Sequence, residues 1–133
     1  MARAAWVPDE KVMAKVRKLC ASLEDVREHT AWGHPVWRTA GRQFAAYEPK
    51  QGQDYLFFLV EKEMLAALLE NGDRFRDGGF PTGDAGWIGL RLDARTDWAG
   101  EVKDLFRRSQ AYVSACAKKK KPARRRAARA PRS

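Results

Sequence analysis

The number and spacing of the lysines and arginines give the clearest indication of function in this sequence, and they indicate the binding of polyanions. The sequence has 26 Lys and Arg against 17 Asp and Glu, a formal net charge of +9. Residues 118–133, KKKKPARRRAARAPRS, contain no acid, and residues 1–117 hold 17 cations against 17 acids. Such dense like charge predicts a disordered tail that binds polyanions. The tail's cations are Lys118, Lys119, Lys120, Lys121, Arg124, Arg125, Arg126, Arg129 and Arg132.

A second group of cations lies near the predicted strand connections. Basic side chains on hairpins contact phosphates in many nucleic-acid-binding proteins. Residues 1–117 contain 17 basic residues, so some of them lie on hairpins by chance and are ordinary solvent-exposed side chains. Trp37 and Tyr47 have rings that stack on bases in other proteins, but the pattern favours core packing for both. The candidate cations are Arg38, Arg42, Lys50, Arg74, Arg76 and Arg91.

The residue types needed for catalysis or metal binding are sparse. A metal site needs closely spaced His, Cys or carboxylate ligands, and Cys20 and Cys116 are far from the two histidines, His29 and His34. We expect His34 to be structural, with its ring hydrogen-bonded to the backbone where a strand begins. The chain has no G-x-S-x-G, P-loop or dinucleotide motif. The sequence therefore predicts no enzyme, no metal and no cofactor.

The apolar pattern predicts the elements that must position these cations. Val12, Val16 and Leu19 lie on one face of a helix that begins near Asp9. YLFFLV, residues 55–60, is apolar on both faces and predicts an inner strand. The other predicted elements are strands at 36–40, 43–47 and 87–92, a helix at 61–71, a loop or irregular hairpin at 73–86, and a helix from 96–97 to 117.

The order α-β-β-β-α-β-α, with short links between successive strands, predicts antiparallel pairing because a parallel crossover needs a dozen or more residues. The expected fold class is α+β, an antiparallel sheet with helices packed mainly on one face. Residues 1–117 form one domain in this interpretation, and residues 118–133 form the disordered basic tail.

Membrane association is not expected. No apolar run is longer than six residues, and the first residues, MARAAWVPDE, lack the apolar stretch of a signal peptide. We expect a cytoplasmic protein with both cysteines reduced. A monomer is the expected state, although the pattern leaves the oligomeric state open.

Three stretches resemble the YjbR/MmcQ family. WGHPVWRTAGRQFA at residues 32–45 is the most specific, and GWIGLRL at 86–92 and LFRRSQAYVSA at 105–115 agree with it. The resemblance implies a frataxin-like α+β fold and a proposed DNA-binding role for two β-hairpin wings. It implies no catalytic residues, and it does not include the basic tail.

These observations favour a non-enzymatic nucleic-acid-binding protein, with DNA as the expected partner and a tail without sequence preference. One alternative is an RNA-binding or ribosome-associated protein, which the same tail would serve. Another is a small-ligand or protein-interaction domain whose tail is incidental and only adds solubility.

Overall fold

The computed structural model describes residues 6–79 and 85–129 of the 133-residue chain, with side chains described as far as residue 117. A single π-helical turn, Trp98–Val102, precedes the last helix. The elements in chain order are α1 (Glu10–Ala21), β1 (Arg27–Ala31), β2 (His34–Thr39), β3 (Arg42–Lys50), β4 (Gln53–Glu61), α2 (Lys62–Leu69), β5 (Phe75–Asp77), β6 (Ala85–Arg91) and α3 (Lys103–Arg129).

The described strands form one antiparallel sheet in the order β1-β2-β3-β4-β6-β5. The predicted α+β class, the antiparallel pairing and the order of the predicted elements are confirmed. β4 carries YLFFLV and lies between β3 and β6, as its two apolar faces predict.

Two-residue turns join the first four strands. Each pair has positive φ at both positions: Trp32 (57°) and Gly33 (81°), Ala40 (53°) and Gly41 (75°), Gln51 (54°) and Gly52 (80°). This is the signature of the type I′ turn, whose twist matches that of the flanking strands. The sequence placed the β2–β3 turn one residue too late, at Gly41-Arg42, whereas Arg42 is the first residue of β3.

All the described helices pack on one face of the sheet. α1 begins at its predicted cap, where the Asp9 carboxylate accepts hydrogen bonds from the Lys11 and Val12 amides. In α3 the ring of Phe106 meets Trp37, Phe44 and Phe58 edge to face at 4.9–6.1 Å. The Ser109 hydroxyl contacts the carbonyls of Phe44 and Leu59. α3 therefore anchors the helical layer on the central strands.

The structure differs from the sequence-based expectation at both edges of the sheet. Residues 27–31, for which the sequence predicted no helix or strand, form β1, and residues 75–77, within the predicted loop or irregular hairpin, form β5. The predicted loop at 48–54 shrinks to one turn because β3 and β4 extend into it. Residues 80–84 of the predicted loop lie outside the described residues.

The last helix also continues beyond its predicted end. Its backbone is helical to Arg129, through most of the segment predicted to be disordered. Lys, Arg and Ala are good helix formers, and a helix already begun at Lys103 has no nucleation cost to meet. Among the residues that the structure describes, no helix has both the length and the apolar character needed to cross a membrane.

Candidate nucleic-acid interface

The face of the sheet opposite the helices, here called the open face, holds the second apolar cluster. Its buried members are Val36, Ala46 and Phe57, packed with the partly buried Ala31, Tyr55 and Trp87. All of these belong to strands, so no described helix residue covers them. Because side chains alternate along a strand and paired residues share a face, the register identifies the other residues of the open face.

The open face carries four of the six candidate cations of the folded domain, one on each of four strands. Arg38 is paired with Gln43, which lies on this face beside Ala46. Arg91 pairs with Tyr55. Arg76, opposite Gly89, lies over the Tyr55 ring at 5.5 Å, and Lys50 lies over the Phe57 ring at 5.8 Å.

Two of these four cations have carboxylate neighbours. The Lys50 ammonium is 3.2 Å from a Glu48 oxygen, and the Arg91 guanidinium is 3.7 Å from a carboxylate oxygen of Asp93. Both contacts are at the surface, where an ion pair contributes at most about 1 kcal/mol and is screened by salt. These two ion pairs therefore cost little free energy to break.

Sequence reasoning missed a fifth cation on the open face. Arg27 of β1 is paired directly with Arg38 of β2, and both side chains are exposed. Directly opposed residues have Cβ atoms about 5 Å apart, and like charges at that separation are unfavourable. Within the described residues neither guanidinium has a carboxylate within ion-pair distance. A bound anion would relieve the repulsion.

The other two candidate cations lie away from this surface. Arg42 pairs with Thr39, whose hydroxyl faces Gln110 of α3, so it shares the helix-packed side of the hairpin. Arg74 forms an ion pair with Glu101 of the π-helical turn, and that hydrogen bond raises the pKa of the guanidinium above its ordinary value. The β2–β3 hairpin therefore does not present Arg38 and Arg42 on the same face of the sheet.

The cations of the tail fall at the end of α3. Eight of the nine positions lie on its helical backbone, and Arg132 lies outside the described residues. The side chains at these positions lie outside the described residues, so their binding of polyanions remains a prediction from their charge. The eight positions are Lys118, Lys119, Lys120, Lys121, Arg124, Arg125, Arg126 and Arg129.

The aromatic rings of the open face are not the two considered from the sequence. Trp37 and Tyr47 are only 1% and 0% exposed and belong to the core beneath the helices, so the core-packing prediction is confirmed. Tyr55, Phe57 and Trp87 lie on the open face instead. The alternation in YLFFLV indicated a ring on each side of β4, but not which side the helices would cover.

A groove of about 520 Å³ runs along the open face. Phe57 and Trp87 line it together with Gln43, Glu48 and Lys50, and Trp32 of the β1–β2 turn stands at its edge. Trp32 is 96% exposed. The groove thus combines aromatic surface with the Gln43 amide and the Glu48–Lys50 ion pair.

His34 also lines this groove, and its surroundings differ from the expectation. Its Nδ1 is 3.9 Å from a Glu48 oxygen, and its ring meets Trp6 edge to face at 5.4 Å. The contacts described for the His34 ring are with the side chains of Glu48 and Trp6, and the expected hydrogen bond to the backbone is not among them.

Clusters of metal ligands are not assembled in the described part of the chain, and the Cys20 thiol is not activated. No group of three or more His, Cys, Asp or Glu there is close enough to hold a metal ion. Burial, with a smaller effect of the Glu28 charge, raises the pKa of Cys20 to about 12. At neutral pH that thiol stays protonated and is a poor nucleophile.

The comparisons with known proteins agree with the resemblance seen in the sequence. The sequence profile of one family, YjbR, matches residues 21–110, which is more than half of the chain. No curated protein and no solved structure matches significantly. The matched region runs from the end of α1 into the first third of α3 and includes the whole described sheet. The chain therefore belongs to the YjbR family.

Proposed function

We propose that this protein is a non-enzymatic, cytoplasmic DNA-binding protein that contacts phosphates through its open face and its basic C-terminal segment. The observation that carries the proposal is the placement of Arg27, Arg38, Lys50, Arg76 and Arg91 on one sheet face that no described helix covers. An array of cations on one face of a sheet suits a polymer with regularly spaced negative charges.

The distribution of ion pairs over the fold supports the open face as the contact surface. On the helix-packed side, Arg17 is paired with Glu28, Arg74 with Glu101 and Arg108 with Asp104. On the open face the Arg27–Arg38 pair has no carboxylate partner among the described residues. Nine further cations follow residue 117 without an acid. The Arg27–Arg38 pair, which has no ion pair among the described residues, and the C-terminal segment, which contains no acid, are thus two concentrations of positive charge.

The salt dependence of DNA binding tests the proposal. Each phosphate contact contributes about 0.9 to the slope of log K against log salt on duplex DNA. Arg27→Ala with Arg38→Ala should lower that slope by about two and weaken binding of unrelated sequences to a similar extent. The measurement is fluorescence anisotropy of the full-length chain at several salt concentrations.

The matched control removes two cations from the helical layer. Lys18 of α1 and Arg107 of α3 are exposed, and Lys18→Ala with Arg107→Ala changes the net charge equally. This control should keep the wild-type slope. If both double variants lower the slope equally, net charge alone governs binding and the open face is not the contact surface. A competition with structured RNA at fixed salt identifies the preferred polymer.

A further inference from the structure

Trp32 has an exposure that the fold does not require, at a turn position that disfavours bulky residues. It occupies the first turn position of the β1–β2 hairpin at φ 57°, with 96% of its surface exposed. Asn, Asp and Gly are favoured there, and a bulky residue in the left-handed region costs on the order of 1 kcal/mol or more. Strain combined with an exposed indole indicates a role in binding a partner.

The position of the indole defines what it would bind. Trp32 stands at the edge of the open-face groove, where Phe57 and Trp87 supply further aromatic surface. Gln43 and Glu48 bring amide and carboxylate groups to the same groove, and Lys50 brings an ammonium. Aromatic surface beside hydrogen-bonding groups matches a base, which has a flat face and polar edges. The Lys50 ammonium forms a surface ion pair with Glu48 and can exchange that carboxylate for the phosphate of a nucleotide at low cost.

The occupant must offer an unpaired base. In duplex DNA the base faces are stacked on one another, so an indole cannot reach them without unstacking a step. A single strand presents its faces freely, and stacking on an aromatic side chain contributes about 1–3 kcal/mol per base without sequence preference. The cations alongside the groove would then track the strand's phosphates.

We propose that the groove beneath Trp32 binds a base of single-stranded nucleic acid, with the Trp32 indole as the stacking surface. This inference rests on the proposed function, since the same open face supplies the phosphate contacts. It adds a preference for single strands over duplexes, which the charge of the protein alone does not give.

An abasic oligonucleotide separates stacking from charge because it keeps the phosphates and lacks the bases. Full-length protein is titrated by anisotropy with an oligothymidylate of about 20 nucleotides, its abasic counterpart and a duplex of equal length, at about 0.15 M salt. An oligouridylate arm reports whether the sugar matters. We expect the oligothymidylate to bind at least about tenfold tighter than the abasic strand.

Two variants assign that difference to Trp32. Trp32→Asn creates Asn-Gly, the preferred pair for this turn, so the hairpin keeps its fold, which a thermal melt verifies. It should weaken oligothymidylate binding by about 5- to 100-fold and leave abasic binding unchanged. Trp32→Phe keeps an aromatic face and should retain most of the affinity.

The possible results distinguish the inference from the proposed function. Equal binding of oligothymidylate and abasic strands, or an unchanged preference in Trp32→Asn, overturns the stacking inference and leaves phosphate binding intact. Failure of the full-length protein to bind any of the polymers contradicts the proposed function and the inference together. Loss of base preference in Trp32→Asn, with retention in Trp32→Phe, supports both.

Discussion

At the scale of single residues, the buried polar groups connect parts of the chain that are distant in sequence. The Tyr47 hydroxyl donates to Asp54 Oδ2 at 2.6 Å and accepts from the Asp9 amide at 3.1 Å. Trp6 Nε1 donates to the other Asp54 oxygen at 3.2 Å. One hydroxyl thus fixes the start of α1 to the end of the β3–β4 hairpin.

Tyr47→Phe removes this hydroxyl and should destabilise the protein by about 1–3 kcal/mol, because the Asp9 amide and the Asp54 carboxylate each lose a partner. The value comes from urea unfolding at neutral pH, with circular dichroism as the probe. A cost below about half a kcal/mol would mean that water replaces the hydroxyl without loss.

The same substitution has a pH dependence of known sign. Burial, followed by the hydrogen bond to Asp54, raises the pKa of Tyr47 well above its ordinary value of about 10. Because the pKa is higher in the folded state than in the unfolded state, the protonated Tyr47 hydroxyl contributes its full stabilisation below about pH 10. This contribution decreases as the pH rises from there toward the folded-state pKa. The stability difference between wild type and Tyr47→Phe should therefore be constant up to about pH 10 and narrow above it.

At the scale of elements, α3 organises the helical layer through one buried stripe. Leu105, Phe106, Ser109 and Val113 are buried, whereas Arg107 and Arg108 point to solvent. The stripe packs on β2, β3 and β4. The spacing of the apolar residues predicted this face, because i, i+4 and i+8 positions recur on one side of a helix.

Leu105→Ala should destabilise the protein by about 2–4 kcal/mol, because Leu105 is only 2% exposed and its truncation leaves a cavity. Arg107→Ala is the control on the same helix and should change the free energy of unfolding by no more than about 0.5 kcal/mol. Both values come from urea melts. Similar costs for the two variants would contradict the assignment of the buried stripe.

At the scale of the whole molecule, the family domain and the basic segment are separate contributors. The family match ends at residue 110, and the last buried side chain described in α3 is that of Val113. The helical backbone from residue 118 to 129 adds about 18 Å to α3. The buried core of the fold therefore ends before the basic segment begins.

Truncation after Ala117 should leave the melting temperature within a few degrees of the full chain, because the buried stripe is complete before that residue. It should weaken DNA binding at least about tenfold at moderate salt and reduce the salt slope by about four, roughly half of the nine-cation maximum. Anisotropy and thermal melts measure both effects. An unchanged slope would assign DNA binding to the open face alone.

The sequence determined the fold class, the central strand and the buried face of α3, because each is written in a local apolar period that a single segment displays. It also determined that the excess charge lies after residue 117. The predictions missed β1, whose residues are mostly exposed and show no apolar alternation, and they left the three-residue β5 within a loop or irregular hairpin. Both strands form because neighbouring strands supply their hydrogen-bond partners.

Only the tertiary structure decided which cations lie together. Arg38 and Arg42 are close in sequence but lie on opposite faces of the sheet, whereas Arg27 and Arg38 are eleven positions apart and directly opposed. A side chain's face follows from strand register, which shifts at the bulge between Trp37 and Arg38. Strand register and the packing of helices on the sheet depend on residues that are far apart in sequence. No single segment therefore predicted the open face or its groove.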